Sequence, residues 1–222
     1  MRKYVPSYSG TLRSHGLTLP HCISECSGIR IFGKRIKSIA FSTDAAIIKN
    51  INADAIIAVY PFTPQPVISQ AIISVSDVPV FVGVGGGITT GARSVRLAIQ
   101  AEHQGAYGVV MNAPTSNEVI RQIKDEVDIP VVITVVSERT DIQARLEAGA
   151  DFLNVSAAAR TPEIVAHIRK GFPEVPIIAT GGPTEESILE TIRAGANAIT
   201  ITPPTTGELF AGIMHDYREK KL

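Results

Sequence analysis

An internal repeat constrains the fold of this chain more than any other feature. Four segments share Asn or Gly, then Ala, then a short apolar run. They are Asn52-Ala53-Asp54 before Ala55-Ile56-Ile57-Ala58-Val59, Gly105-Ala106-Tyr107 before Gly108-Val109-Val110-Met111, Gly149-Ala150-Asp151 before Phe152-Leu153-Asn154-Val155, and Gly195-Ala196-Asn197 before Ala198-Ile199-Thr200-Ile201. A second series interleaves with them: an acid, a β-branched residue and a proline precede Val80-Phe81-Val82, Val131-Val132-Ile133 and Ile177-Ile178-Ala179. Ser38-Ile39-Ala40-Phe41 supplies the first member, without the proline.

This pattern predicts strands near 39–42, 55–59, 80–84, 108–111, 131–135, 152–155, 177–180 and 198–201. Between them lie stretches with apolar residues at three- and four-residue spacing, such as Val119, Ile120, Ile123 and Val127. Gly105, Gly149 and Gly195 stand where a helix end needs left-handed backbone. Thr161-Pro162-Glu163 reads as a helix start, and Thr115 with Glu118 reads as a capping box. Short apolar strands alternating with helices pair in parallel with both faces covered. Eight such units favour closure into a (β/α)8 TIM barrel over an open doubly wound sheet.

Residues 1–37 stand outside the repeat. Gly28 to Ile36 reads as a hairpin turning at Gly33-Lys34 that covers the bottom of the barrel, behind a loosely held arm. The expected organisation is therefore an arm and hairpin over 1–37 and a barrel over 38–222.

Composition narrows the partners. The chain has 222 residues, 45% of them hydrophobic, with 21 basic and 21 acidic side chains. That balance carries no electrostatic footprint for nucleic acid or an anionic membrane. No apolar run follows the basic start, and none is long enough to cross a bilayer. With only Cys22 and Cys26, a disulfide framework is not expected and a cytoplasmic setting fits. The composition leaves a homo-oligomer open.

In this architecture ligands meet the loops that follow the strands. After the third strand comes Gly83-Val84-Gly85-Gly86-Gly87-Ile88-Thr89-Thr90-Gly91, and after the seventh comes Thr180-Gly181-Gly182-Pro183-Thr184-Glu185. Both lead into helices, whose free N–H groups favour phosphate. Each has a partner one strand later, Asn112-Ala113-Pro114-Thr115 and Thr202-Pro203-Pro204-Thr205. Gly181, Gly182, Thr202 and Thr205 are the expected phosphate site, with Gly86 and Gly87 as its counterpart in the first half-barrel.

Val84 to Ile88 through Asn112 resembles the first phosphate loop of the histidine-biosynthesis barrels. Ile178 to Gly182 through Thr202 resembles the second. Gly149 to Thr202 is similar to the last part of 2-keto-3-deoxy-6-phosphogluconate aldolase. The resemblance to this ribulose-phosphate-binding and aldolase-type barrel group spans about 38–210 and implies the fold and an anion site. It does not carry the reactions across. The histidine-pathway barrels have aspartates in strands 1 and 5, where this chain has Ala40-Phe41-Ser42 and Ile133-Thr134-Val135. The aldolase's Schiff-base lysine falls about at Asn154, and no lysine stands at any strand end, so imine chemistry is excluded.

The acid–base candidates are Asp44 after strand 1 and Glu138 after strand 5, either of which could have a raised pKa if desolvated. Asp44 also reads as a helix cap, and Glu138 as a first-turn acid. Asn154 and Ser156 could hydrogen-bond a carbonyl or hydroxyl, and Asn154 or Asn112 could stabilise an enolate-like intermediate. Tyr60 and Arg160 could orient a ligand. His21, Cys22, Glu25 and Cys26 lack a standard zinc spacing, and no metal is expected there. His103 and His167 are expected on the outer faces of helices. Three readings follow: an isomerase or lyase acting on a small phosphorylated metabolite, an oxidoreductase using flavin mononucleotide (FMN) as cofactor, and a ligand-sensing barrel without catalysis.

Overall fold

The computed structural model describes residues 4–8, 10–11 and 16–219; His15, Lys3, Lys220 and Lys221 lie outside them. A 3-10 turn, His21–Glu25, precedes the hairpin strands β1 (Ile29–Ile31) and β2 (Lys34–Ile36). The barrel units follow as β3 (Ser38–Phe41), α1 (Ala45–Lys49), β4 (Ala55–Ala58), α2 (Pro66–Val75), β5 (Val80–Gly85), α3 (Ala92–His103), β6 (Gly108–Met111) and α4 (Asn117–Glu126). The second half comprises β7 (Val131–Val135), α5 (Ile142–Glu147), β8 (Phe152–Val155), α6 (Thr161–Gly171), β9 (Ile177–Thr180), α7 (Glu185–Arg193), β10 (Ala198–Ile201) and α8 (Thr206–Arg218). Strands β3 to β10 close into a parallel barrel, with β10 paired to β3. The eight strands stand within a residue or two of their expected limits.

The side-chain alternation of each strand explains the repeat. One set, including Ile56, Val82, Val109, Ile133, Leu153 and Ile199, faces outward against Ala98, Ile120, Ile123, Ile164, Ile168 and Ile188 of the helices. The other set, Ile39, Ala55, Ile57, Phe81, Val110, Val132, Ile178 and Ala198, fills the interior. Ile29, Ile31 and Ile36 of the hairpin join that inner cluster and plug the barrel from its N-terminal end. The hairpin turn centres on Phe32-Gly33, one residue before the expected position, because Ile31 pairs with Lys34 and both turn residues take positive φ.

The third residue of each repeat sets register. Asp54 accepts from the amides of Lys37 and Ser38 at 2.9 and 3.0 Å, Asp151 from Val131 at 2.8 Å and Asn197 from Ile177 at 2.8 Å. Each thus holds the start of the preceding neighbour strand. Tyr107, which replaces the acid in the second repeat, donates its hydroxyl to Ile31 O of the hairpin at 3.0 Å. Gly105, Gly149 and Gly195 have the expected positive φ at the helix ends.

Two local expectations change. The arm is not loose over 17–26. Leu17 bridges to Ile51, the turn His21–Glu25 packs on α7, and Ile23 and Cys26 are buried. Burial pushes the Cys26 thiol up to about 11, so this thiol serves as an apolar packing group. Thr161 does not cap α6; it lies inside the helix, and its hydroxyl accepts from Ala157 N at 3.0 Å. Among the described residues, no helix is long and apolar enough to cross a membrane.

Candidate functional site

The inward set changes character toward the C-terminal end of the strands. There Phe41, Ile57, Val59 and Val110 form one wall of a cavity of about 250 Å³, and Asn112, Thr134, Asn154, Ser156, Thr180, Thr200 and Thr202 form the rest. None of these side chains ionises near neutral pH. Asn154 Nδ2 donates to Thr134 Oγ1 at 3.3 Å, while Asn154 Oδ1 and Thr200 Oγ1 have no partner. Buried polar atoms are normally paired, so such unpaired acceptors mark places where a ligand or water completes the bonding. The mouth suits an uncharged ligand body. Among the described residues no lysine lines it.

The rim carries the charge. Glu138 pairs with Arg160, which also bonds Glu163 at 3.2 Å. Tyr60 accepts from Gln65 N at 2.7 Å and borders a side pocket of about 190 Å³ that shares Val59 and Asn112 with the mouth. Asp44 takes the helix-cap role its position suggested, and a second one besides. One oxygen caps α1 through the amides of Ala46 and Ile47, and the other accepts from Thr206 N at 2.9 Å, at the start of α8. The Thr206 hydroxyl and amide, then the α1 amides, hold this carboxyl below its ordinary value, not above it. Asp44 therefore stays ionised and pins two helix starts that are 162 positions apart in the chain.

A depressed pKa in the fold adds stability above the unfolded value, near 4, and that stability is lost as pH falls through the folded value. Asp44→Ala should cost about 1 to 2 kcal/mol near neutral pH, typical for a lost cap. Urea titrations should show this difference shrinking in acid.

The two glycine loops differ. Around Gly181 and Gly182, small size serves packing: a Cβ on Gly181 would approach Ile199, Ile201 and Ile188 to 2.8, 2.9 and 3.1 Å, and one on Gly182 would lie 2.1 Å from Ser187 Oγ. Gly181 N donates to Thr200 O. Helix α7 is closed by a Thr184–Ser187 capping box and begins with Glu185 and Glu186. Helix α8 is closed by Thr205 and Glu208, with Asp44 on its next amide. Thr202 lies exposed at the mouth. At α8 the chain's own carboxylates, Asp44 and Glu208, thus take the amides of Thr206 and Thr205.

At the first loop the helix start is open. Gly91 precedes α3 with φ 58°, no side chain caps the helix, its first turn holds no acid, and Arg93 stands in it. Gly86 lies buried against the next loop, where a Cβ would meet Thr115 Oγ1 at 2.5 Å and Asn112 N at 2.6 Å. Its amide closes the turn onto Thr89 O, while Gly87 faces open space. A cavity of about 330 Å³ opens here between Gly86, Thr90, Gly91, Ser94, Thr115 and Ser116.

Thr115, like Thr161, does not make the cap its sequence position predicts. Its neighbour Ser116 caps α4 instead, accepting from Val119 N. The Thr115 hydroxyl is left without a partner although the residue is only 4% exposed. Arg145 fixes the strand-to-helix turn that carries it, donating to the carbonyls of Thr115 and Ala113 and to Asn117 Oδ1. Nothing in the sequence pattern distinguishes Arg145 from a surface residue of α5.

No family model matches the chain. It is 25% identical over 118 residues to a thiamine-phosphate synthase from Geobacillus thermodenitrificans, covering 48% of this chain and 51% of that protein. The match therefore spans about half the length of that relative. Among solved structures, a 2,3-dimethylmalate lyase of the PEP mutase/isocitrate lyase superfamily aligns with TM-score 0.65 and 14% identity, over 90% of this chain and 83% of that one. A phosphoenolpyruvate phosphomutase from Streptomyces platensis subsp. rosaceus aligns with TM-score 0.61 and 17% identity, over 82% and 80%. A protein described as QR15, an aldolase, aligns with TM-score 0.60 and 16% identity, over 88% and 98%. At these identities the likeness concerns architecture: the chain is a (β/α)8 barrel.

Proposed function

We propose that this chain binds a small phosphorylated metabolite, with the phosphate at the start of α3 and the uncharged body in the barrel mouth, and acts on it as an isomerase or lyase. The observation that carries the reading is the buried, unpartnered Thr115 hydroxyl beside the uncapped, acid-free start of α3. Free amides and a hydroxyl supply the donors, and the helix start supplies the positive partial charge, that phosphate requires. The name of the relative, thiamine-phosphate synthase, also carries a phosphate ester. Gly86 and Gly87 shape this cradle. The expected site at Gly181, Gly182, Thr202 and Thr205 is less favoured, because Asp44 and Glu208 already take amides at the start of α8 and Thr184 and Ser187 cap α7.

In this reading the free Nδ2 hydrogen of Asn154 and the Asn112 amide face the mouth and steady a carbonyl oxygen as charge develops on it. Glu138 at the rim takes a proton from the adjacent carbon, with Arg160 holding its carboxylate in place. A second reading, a sensing barrel without catalysis, draws on the wholly neutral lining of the mouth.

A thermal-shift screen of phosphorylated metabolites, followed by NMR assays of the binders, tests the proposal. Stabilising ligands should be turned over, and Glu138→Gln should lower turnover by about 100-fold or more while leaving the stabilisation intact. Stabilisation without turnover would favour the sensing reading. A yellow protein with flavin absorption would favour the FMN reading. No stabilisation by any phosphate compound would end all three.

A further inference from the structure

The cavity at the start of α3 offers an anion partial charge, but among the described residues no cationic side chain lines it. The full charges stand next door. A second cavity, of about 510 Å³, opens between the β6–α4 and β7–α5 loops, with Arg139 and Arg145 in its lining. Pro114, Thr115 and Ser116 line both cavities, so the two meet at this one turn.

Neither arginine forms an ion pair among the described residues. Arg145 is half-buried, and its bonds go to neutral groups, the carbonyls of Ala113 and Thr115 and Asn117 Oδ1. Burial pulls its guanidinium below the ordinary value, and the Asp141 charge offsets this only in part. Asp141 is the one carboxylate in the lining, and it is engaged in capping α5 through Ala144 N at 3.0 Å. Arg139 is exposed and bonds only through its backbone amide, to Ser137 Oγ at 3.2 Å. Two guanidiniums thus face one occupied carboxylate, and the unpartnered Thr115 hydroxyl lies at the junction. A partly buried cation without a counter-ion is costly, and guanidiniums beside hydroxyls are donors suited to phosphate or carboxylate.

We infer that the ligand of the α3 cavity carries a second acidic group beside its phosphate, and that Arg139 and Arg145 receive it on the other side of Thr115. This rests on the phosphate reading above. The shared turn keeps the two groups adjacent. A diphosphate, or a phosphate next to a carboxylate, satisfies both cavities, and a simple monoester fills only one.

Calorimetric titration of inorganic phosphate, pyrophosphate and phosphonoacetate into wild type, Arg139→Gln and Arg96→Gln tests this. Arg96 stands on α3 and lines neither cavity, so it controls for the loss of one charge. Pyrophosphate or phosphonoacetate should bind wild type about 10-fold tighter than phosphate, as one charge-assisted fork provides. The tighter of the two tells whether the second group is a phosphate or a carboxylate. Arg139→Gln should lose most of that gain, and Arg96→Gln should keep it. Phosphate binding without a gain for either probe would overturn the second subsite and leave the phosphate reading standing. So would a gain that survives Arg139→Gln, or one that Arg96→Gln also removes. A wild type that binds no phosphate would end both.

Discussion

Thr115→Val should make the ligand-free protein more stable and a worse phosphate binder at once. An unsatisfied buried hydroxyl costs about 1 to 3 kcal/mol, and valine keeps the shape without the polar atom. For a chain of this size the melting temperature should rise by about 2 to 4 °C per kcal/mol recovered. In the bound state the same hydroxyl donates to a charged oxygen, a bond worth about 1.5 to 3 kcal/mol. Its loss should weaken phosphate by about 10-fold or more. Differential scanning fluorimetry with and without phosphate reads both signs in one experiment. A purely structural threonine would show destabilisation or no change and an unaltered phosphate response. Stability given up for function is common at binding sites.

Phe81→Ala should be the most damaging single truncation in the barrel. The ring is fully buried and stands edge-on to Tyr107, with centroids 6.3 Å apart, and Tyr107 in turn meets Phe32 of the hairpin at 5.2 Å. Gly108 lacks a side chain because the Phe81 ring occupies that space, 2.6 Å from where its Cβ would be. This stack joins the hairpin plug to the strand layer. Its removal leaves a void that neither Gly108 nor the hairpin can fill, so the cost should be about 3 to 5 kcal/mol. That is a large share of the roughly 5 to 15 kcal/mol that holds a typical domain folded. Urea unfolding should show the midpoint fall sharply, and the phosphate cradle, built on the far end of β5, should go with it.

The barrel was legible because parallel strands are buried on both faces. Runs such as Val131-Val132-Ile133 must then be apolar throughout, and the Gly-Ala pair recurs at the helix-to-strand turns before β6, β8 and β10. The cap positions were less legible. Thr115 and Ser116 are adjacent and either can cap a helix, so only backbone geometry decides which hydroxyl is used. Asp44 looks like a local cap from its neighbours, and its second bond to Thr206 arises only when the barrel closes. The two glycine loops look alike in sequence. Gly181 and Gly182 are small because Ile199, Ile201 and Ser187 crowd them, a tertiary cause that no local pattern records. The apolar stripe of α8, from Leu209 to Tyr217, is that of any helix packing on a barrel, yet it lies 38 to 59% exposed. The irregular segment around Leu17, Leu19 and Ile23 packs beside α7 and the end of α1 instead.

The central claim is that the open start of α3, not the closed starts of α7 and α8, receives the phosphate. Calorimetric titration of inorganic phosphate into wild type, Ala92→Asp and Pro183→Asp tests it most directly. A carboxylate at position 92 occupies the first turn of α3 without straining the fold, since acids are favoured at helix starts. Phosphate should bind wild type and Pro183→Asp alike and fail to bind Ala92→Asp. Binding that survives in Ala92→Asp and disappears in Pro183→Asp would contradict the account and return the anion to the seventh and eighth strands.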